Sequence, residues 1–180
     1  MTRALSFFVL LALWSAAEAQ QFRRPLPVHS VTRQFSSLWK VNRAPQPIIS
    51  GTNGVPAIVR VNSHSLILFA EETKKRMLRE LGTTDLWSGH ITLRIMDLPA
   101  GTKPVMERQP FTDRWRYQLT MPEELPSREL LHALVGLLLE EYAGRYSRKA
   151  PRIPLWLTEG FTELLMQKNG ATLFTSLTLN

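Results

Sequence analysis

The sequence predicts an α+β fold, a small mixed sheet with a covering helix followed by two packed helices, and three observations predict it. Apolar and polar residues alternate at 91–96 and again at 115–121, the period of a half-buried strand. Apolar residues recur every three or four positions from Leu66 to Leu81, the period of an amphipathic helix. Beyond these, Leu130 to Leu139 is apolar almost all the way round, as a central buried helix must be, and a second run led by Pro154 follows it.

The N-terminus stands apart from that pattern. Arg3, the apolar run 7–14 and the small-residue site Ala17-Glu18-Ala19 form the three parts of a secretory signal peptide, with cleavage expected near Ala19. The run is too short for a membrane span, which takes about 20 residues. No other segment could cross a bilayer, so the mature chain is expected to be exported, periplasmic or extracellular, without a transmembrane segment. About 160 residues then remain, enough for one domain with a single core. The chain has no cysteine, which excludes disulfides, thiolate metal sites, a cysteine nucleophile and lipid attachment through sulfur.

The formal charge of +7 is unevenly spread. From residue 20 to residue 70 the charged residues are Arg23, Arg24, Arg33, Lys40, Arg43 and Arg60, with no acid among them. Such a segment could meet phosphate, an anionic surface or an acidic partner. Pro25, Pro27, Pro45 and Pro47 break it up, which equally fits a solvated lead-in. Residues 20–56 are thus set off as a basic, proline-containing segment with a first strand, and no nucleic-acid-binding motif occurs, so no nucleic-acid partner is expected.

That first strand is expected at 31–40, on an uneven alternation of Val31, Phe35 and Trp39 with Thr32, Gln34 and Leu38. Residues 50–54, Ser-Gly-Thr-Asn-Gly, form a turn cluster, and 57–61 a short extended piece. A helix then starts near Asn62 or Ser63 and stops at Gly82, burying Leu66, Phe69, Ala70, Thr73 and Met77. Glu71, Glu72, Lys74, Lys75 and Arg79 are assigned to its solvent face, with Glu71 and Lys75 as an i, i+4 pair. The strand at 91–96 follows Trp87-Ser88-Gly89, and a loop rich in Pro, Gly and Lys leads to the strand at 115–121.

Pro126 or Ser127 begins the central helix, with Glu123, Glu124 and Glu129 at its positive end, and Gly144 ends it. A basic loop, 145–152, leads to the last helix, which Pro154 opens and which runs to about Lys168, with Gly170 as its stop. The Thr/Leu alternation at 171–180 then reads as a final strand.

Chemistry concentrates at 127–165. Arg128, Glu129 and His132 read RELLH, and 154–165 reads PLWLTEGFTELL with Glu159 inside it. In an HExxH motif two histidines at i and i+4 share one helical face and one metal, and the intervening glutamate is aimed at the metal-bound water. The pair of segments resembles the gluzincin group, the peptidase MA-like domains, in which a WLxEG segment supplies the third zinc ligand. Over roughly 28–168 it also resembles exported proteins with the same strand–helix–strand lead-in and a degenerate HExxH. The resemblance implies a zincin-like active-site half, and a peptidase MA-like domain over 57–180 that is incomplete at its C-terminus.

It also implies roles, position by position. Glu129 stands where the general base would be, His132 and Glu159 at zinc-ligand positions, and Arg128 in place of the first histidine. A guanidinium stays protonated and has no lone pair for a cation. One imidazole and one carboxylate beside it make a poor zinc site, so no cofactor is expected. Arg128 is instead expected to replace the cation through a charge-assisted bond to Glu159 or Glu129, relieving carboxylates buried without a metal.

Plainer assignments compete with each role. His132 on its own reads more simply as a satisfied core histidine than as a ligand, and Glu159 has a competing reading as a first-turn glutamate favoured by the helix dipole. Trp156, Phe161, Leu164 and Leu165 have core spacing, Glu140, Glu141 and Glu163 read as solvated, and His29, His64 and His90 show no ligand spacing. Neither a GxSxG elbow nor a phosphate loop is present. Three functional readings follow: a non-catalytic binding or structural module whose partner the sequence does not name, a protein or peptide being one candidate; a zinc peptidase using Glu129 with a ligand recovered from His90 or a partner chain; and a degraded or truncated product without activity.

Overall fold

The computed structural model describes residues 27–40, 55–84, 89–99, 101–112, 114–145, 147 and 149–178. The expected signal peptide, most of the basic segment, the 50–54 turn cluster and Trp87-Ser88 lie outside the described residues. The fold is α+β. Strands β1 (Val28–His29), β2 (Phe35–Lys40), β4 (Ile91–Met96), β5 (Val105–Phe111) and β6 (Arg114–Pro122) form a sheet in the order β1-β2-β4-β6-β5. The central pairs β2·β4 and β4·β6 are parallel and both outer pairs antiparallel. A separate two-stranded ribbon joins β3 (Ile58–Arg60) to β7 (Glu124–Pro126).

Helix α1 (Ser63–Glu80) supplies the connection between parallel β2 and β4. It starts where the sequence places it. Asn62 Oδ1 accepts from the amides of His64 and Ser65 at 3.0 and 2.9 Å, while Ser65 Oγ accepts from the Asn62 amide at 3.1 Å, a reciprocal capping box. Beyond its end Gly82 takes the left-handed conformation, φ 64°, which a residue without Cβ adopts freely. Lys74 departs from the expected solvent face: it is buried, donates to Gln34 Oε1 at 2.7 Å and pairs with Glu71 Oε2 at 2.9 Å. The pairing is thus i, i+3 within the helix, with Glu71 drawn toward the sheet.

The central strands bury their apolar faces as their alternation requires. Ile91, Leu93 and Ile95 are fully buried, opposite Tyr117, Leu119 and Met121 in register. The first strand begins at Phe35, four residues later than the alternation implies, because 31–33 is a turn with Arg33 at φ 58° that folds β1 back on β2. β5 replaces an expected loop. As an outer strand with only β6 beside it and most side chains exposed, it has no need for the apolar alternation that marks a buried strand, and it tolerates Pro110 near its end.

Helix α2 (Ser127–Gly144) buries the apolar run Leu130 to Leu139 in the centre, and helix α3 (Leu155–Thr178) packs against both α1 and α2. Gly170 does not stop α3, and no strand forms over the described part of 171–180. A Cβ on Gly170 would lie 2.9 Å from Val55 Cγ2, so the glycine is there for close packing. The expected Thr/Leu strand is helical because Leu173, Phe174 and Leu177 fall on one side and are buried, with Phe174 against Phe69 at 5.0 Å between ring centroids. Among the described residues no helix is long and apolar enough to cross a membrane.

The ribbon fixes how α2 begins. β7 follows directly from β6, the Val61 amide donates to Glu123 O at 2.9 Å, and the Ser127 amide donates to Ala57 O at 3.1 Å. Ser127 Oγ also donates to Pro56 O, and Arg60 pairs with Glu123 at 3.2 Å. The first turn of α2 is therefore held by the chain that leads into α1, not by a side-chain cap of its own.

Candidate functional site

Arg128 lies in the first turn of α2 and reaches across to α3. Its Nη2 is 2.6 Å from Glu159 Oε2 and 2.8 Å from Glu163 Oε1, and its Nε donates to the same Glu163 oxygen at 2.9 Å. Four residues along α2, His132 places Nε2 3.4 Å from Glu159 Oε1. That nitrogen is shielded from solvent and, despite the proximity, its alignment makes no hydrogen bond with any described residue. Arg128, His132 and Glu159 thus converge, and Glu163 completes the cluster.

Helical spacing builds this arrangement. Positions 128 and 132 share a face of α2, and 159 and 163 share a face of α3. Two carboxylates four residues apart repel each other, and the guanidinium from the neighbouring helix answers both. Those hydrogen bonds hold Arg128 protonated above its already high value, Glu163 contributing most and Glu159 next.

Burial corrects part of the expectation. Glu159 and Glu163 keep 38% and 49% of their side chains exposed and Arg128 52%, so these are not carboxylates stranded in a core. Each ion pair in such a setting contributes about 0.2–1 kcal/mol. Glu163 is exposed, as the sequence reading had it, and is also a partner in the cluster. Its place on the Glu159 face, one turn further on, was the available signal. Trp156 is 73% exposed and Leu155 68%, against the core assignment of Trp156; Leu165 alone of the four spaced residues is fully buried, with Phe161 and Leu164 partly so.

Glu129 is half-buried and takes part in no hydrogen bond or ion pair among the described residues. His90, the possible recovered ligand, lies elsewhere. It bonds Ser36 Oγ at 2.9 Å, and neighbouring Gly89 packs against Glu141, nine residues beyond His132 and so about 14 Å along α2. The described histidines His29 and His64 do not join the cluster either.

Glu140 and Glu141, read as solvated, are both buried. They face the sheet and the loop after α2, where Arg108 approaches Glu140 Oε2 at 3.2 Å and Arg145 pairs with Glu141 at 3.1 Å. Burial pushes the Glu140 carboxyl up, with Arg108 opposing. Tyr117 donates to the Glu140 backbone oxygen at 3.0 Å, and burial first, then the two glutamates, push its hydroxyl up to about 12.

The donor set does not fit a zinc ion. Glu159 Oε2 is held by a fixed cation, His132 is the single imidazole, and among the described residues no group of three His, Asp or Glu side chains is arranged to hold a metal. A cleft of about 590 Å³ is lined by Arg128 together with Val55, Ser127 and Gly170, and neither His132 nor Glu159 contributes to its lining. Comparison with protein-family models, with curated proteins and with solved structures gives no match for this chain.

Proposed function

We propose that this chain is an exported, non-catalytic relative of the peptidase MA-like proteins, in which a former metal position is rebuilt around Arg128 and the fold serves as a binding or structural module. The observation that carries this reading is the Arg128 guanidinium between Glu159 and Glu163, 2.6 and 2.8 Å away, a fixed cation bridging α2 and α3. The RELLH and WLTEG segments converging across α2 and α3 support the relationship, as does the strand–helix–strand lead-in. Export rests on the signal-peptide pattern at 1–19.

A zinc-peptidase reading retains one favourable observation, the shielded His132 Nε2 close to Glu159, and would give Glu129 the role of base. Metal analysis of the purified chain together with a peptidase assay separates the two. The module reading expects substoichiometric zinc and no peptide cleavage. Zinc at one per chain, with cleavage activity that E129A abolishes, would overturn it.

A further inference from the structure

The three helices pack on one face of the five-stranded sheet, the side of Ile91, Leu93 and Ile95, and among the described residues no element covers the other. Parallel strands β2, β4 and β6 stand at the centre of that sheet, and parallel pairs are ordinarily covered on both sides. The bare face is polar. Thr92 and Arg94 on β4 stand in register with Gln118 and Thr120 on β6, and Arg116 lies further along β6 opposite Gln109. Arg94 and Arg116 are half-buried, yet neither makes a hydrogen bond or ion pair with any described residue; Arg116 meets only the Phe111 ring, 3.4 Å from its centroid. The other half-buried arginines, Arg60, Arg76 and Arg145, are each paired with a glutamate. The one carboxylate that the strands place on this face, Glu107, accepts from Gln118 Nε2 at 3.0 Å and pairs with neither arginine.

We infer that this sheet face docks an extended acidic polysaccharide, with the carboxylates of separated sugars on Arg94 and Arg116. Four residues along and one strand across, the two Cα atoms stand about 14 Å apart, a span that suits two charges on one chain better than one small anion. Each guanidinium takes a carboxylate through two parallel N–H···O bonds. Between them Thr92, Gln118 and Thr120 present hydroxyl and amide groups that both donate and accept, as sugar hydroxyls do. Glu107 repels a chain charged at every unit and suits one whose charges alternate with neutral sugars. A single-stranded nucleic acid also needs aromatic faces for its bases, and the exposed ring here, Phe111, already carries a guanidinium. The site lies across the sheet from the Arg128 cluster and stands whether or not that cluster descends from a metal site.

The test uses the purified chain and four fluorescein-labelled probes: a hyaluronan oligosaccharide, with a carboxylate on every second sugar; a chitin oligosaccharide of the same length, neutral throughout; an oligothymidylate; and an acidic peptide. Fluorescence anisotropy should show saturable binding of the hyaluronan probe, weakened about two- to fivefold by R94Q and by R116Q, the range of one partly exposed ion pair. K75Q, which removes a charge from the exposed side of α1 instead, should leave it unchanged. Amide chemical shifts of the isotope-labelled parent need no variant, and on adding the hyaluronan probe the changes should centre on β4 and β6. Far-ultraviolet circular dichroism confirms that the variants fold. Equal binding of the chitin probe, hyaluronan binding untouched by R94Q and R116Q or weakened as much by K75Q, or shifts centred on α2 and α3, would overturn the inference. So would tighter binding of the oligothymidylate or the acidic peptide, since either would make a different macromolecule the occupant. Zinc content and peptide cleavage bear on the Arg128 cluster alone, so the two readings fail separately.

Discussion

Removing the Arg128 guanidinium is the sharpest perturbation of the cluster, and its cost can be worked from the geometry. Contacts of 2.6 and 2.8 Å to two half-exposed carboxylates would be worth roughly 1–2 kcal/mol each by Coulomb's law in water. Ordering a long side chain and screening by salt bring each pair down to about 0.2–1 kcal/mol. R128A also leaves Glu159 and Glu163 facing each other at i, i+4, a repulsion of a few tenths of a kcal/mol. The expected loss is therefore about 1–2 kcal/mol, or some 2–8 °C in Tm for a domain of this size. Urea unfolding of R128A, E159A, E163A and the two double variants gives the coupling directly, and the two pairs together should show about 0.5–2 kcal/mol. A summed coupling within about 0.3 kcal/mol of zero, or R128A as stable as the parent, would refute the claim that the guanidinium compensates the carboxylates and ties α2 to α3.

Three further outcomes are expected. R128H replaces the opposing charge with an imidazole four residues from His132 and near Glu159, so zinc at 100 times its dissociation constant should stabilise this variant by about 2.7 kcal/mol and leave the parent unmoved; an unshifted Tm would show that the helices do not hold ligand geometry. Because burial raises the Glu140 carboxyl in the folded state, its contribution to stability is fully present below the unfolded carboxylate value and fades as pH rises through the raised one. E140Q should remove that slope and be at least as stable as the parent near neutral pH, checked by urea unfolding at several pH values. F174A should cost about 3–5 kcal/mol, since the ring is buried against Phe69; a loss below 1 kcal/mol would contradict the helical end of α3.

Much of the sheet was legible because buried strands write themselves as alternation: β4 and β6 appear at the expected residues, and α1 has both its Asn62 cap and its Gly82 stop. The outer strand β5 was not legible. An edge exposed on most side chains has no periodicity to read, and Glu107, Arg108 and Pro110 resemble loop residues. Gly170 misled for a different reason. A glycine that ends a helix and one that admits a neighbour look alike in sequence, and only the approach of Val55 distinguishes them.

The cluster divides along the same line. Sequence alone determined that position 128 carries a permanent cation, that His132 lies one turn on, and that Glu159 falls near the start of a second helix, because these depend on residue type and helical spacing. Only the tertiary structure decided which carboxylates answer the cation. The packing of α3 on α2 brings Glu163 as well as Glu159 to Arg128, turns Trp156 outward, and leaves the group half in water. It also buried Lys74, Glu140 and Glu141, whose polar side chains gave no hint of it. Burial of a charged group is set by the partners that distant segments supply, and a linear pattern does not record those partners.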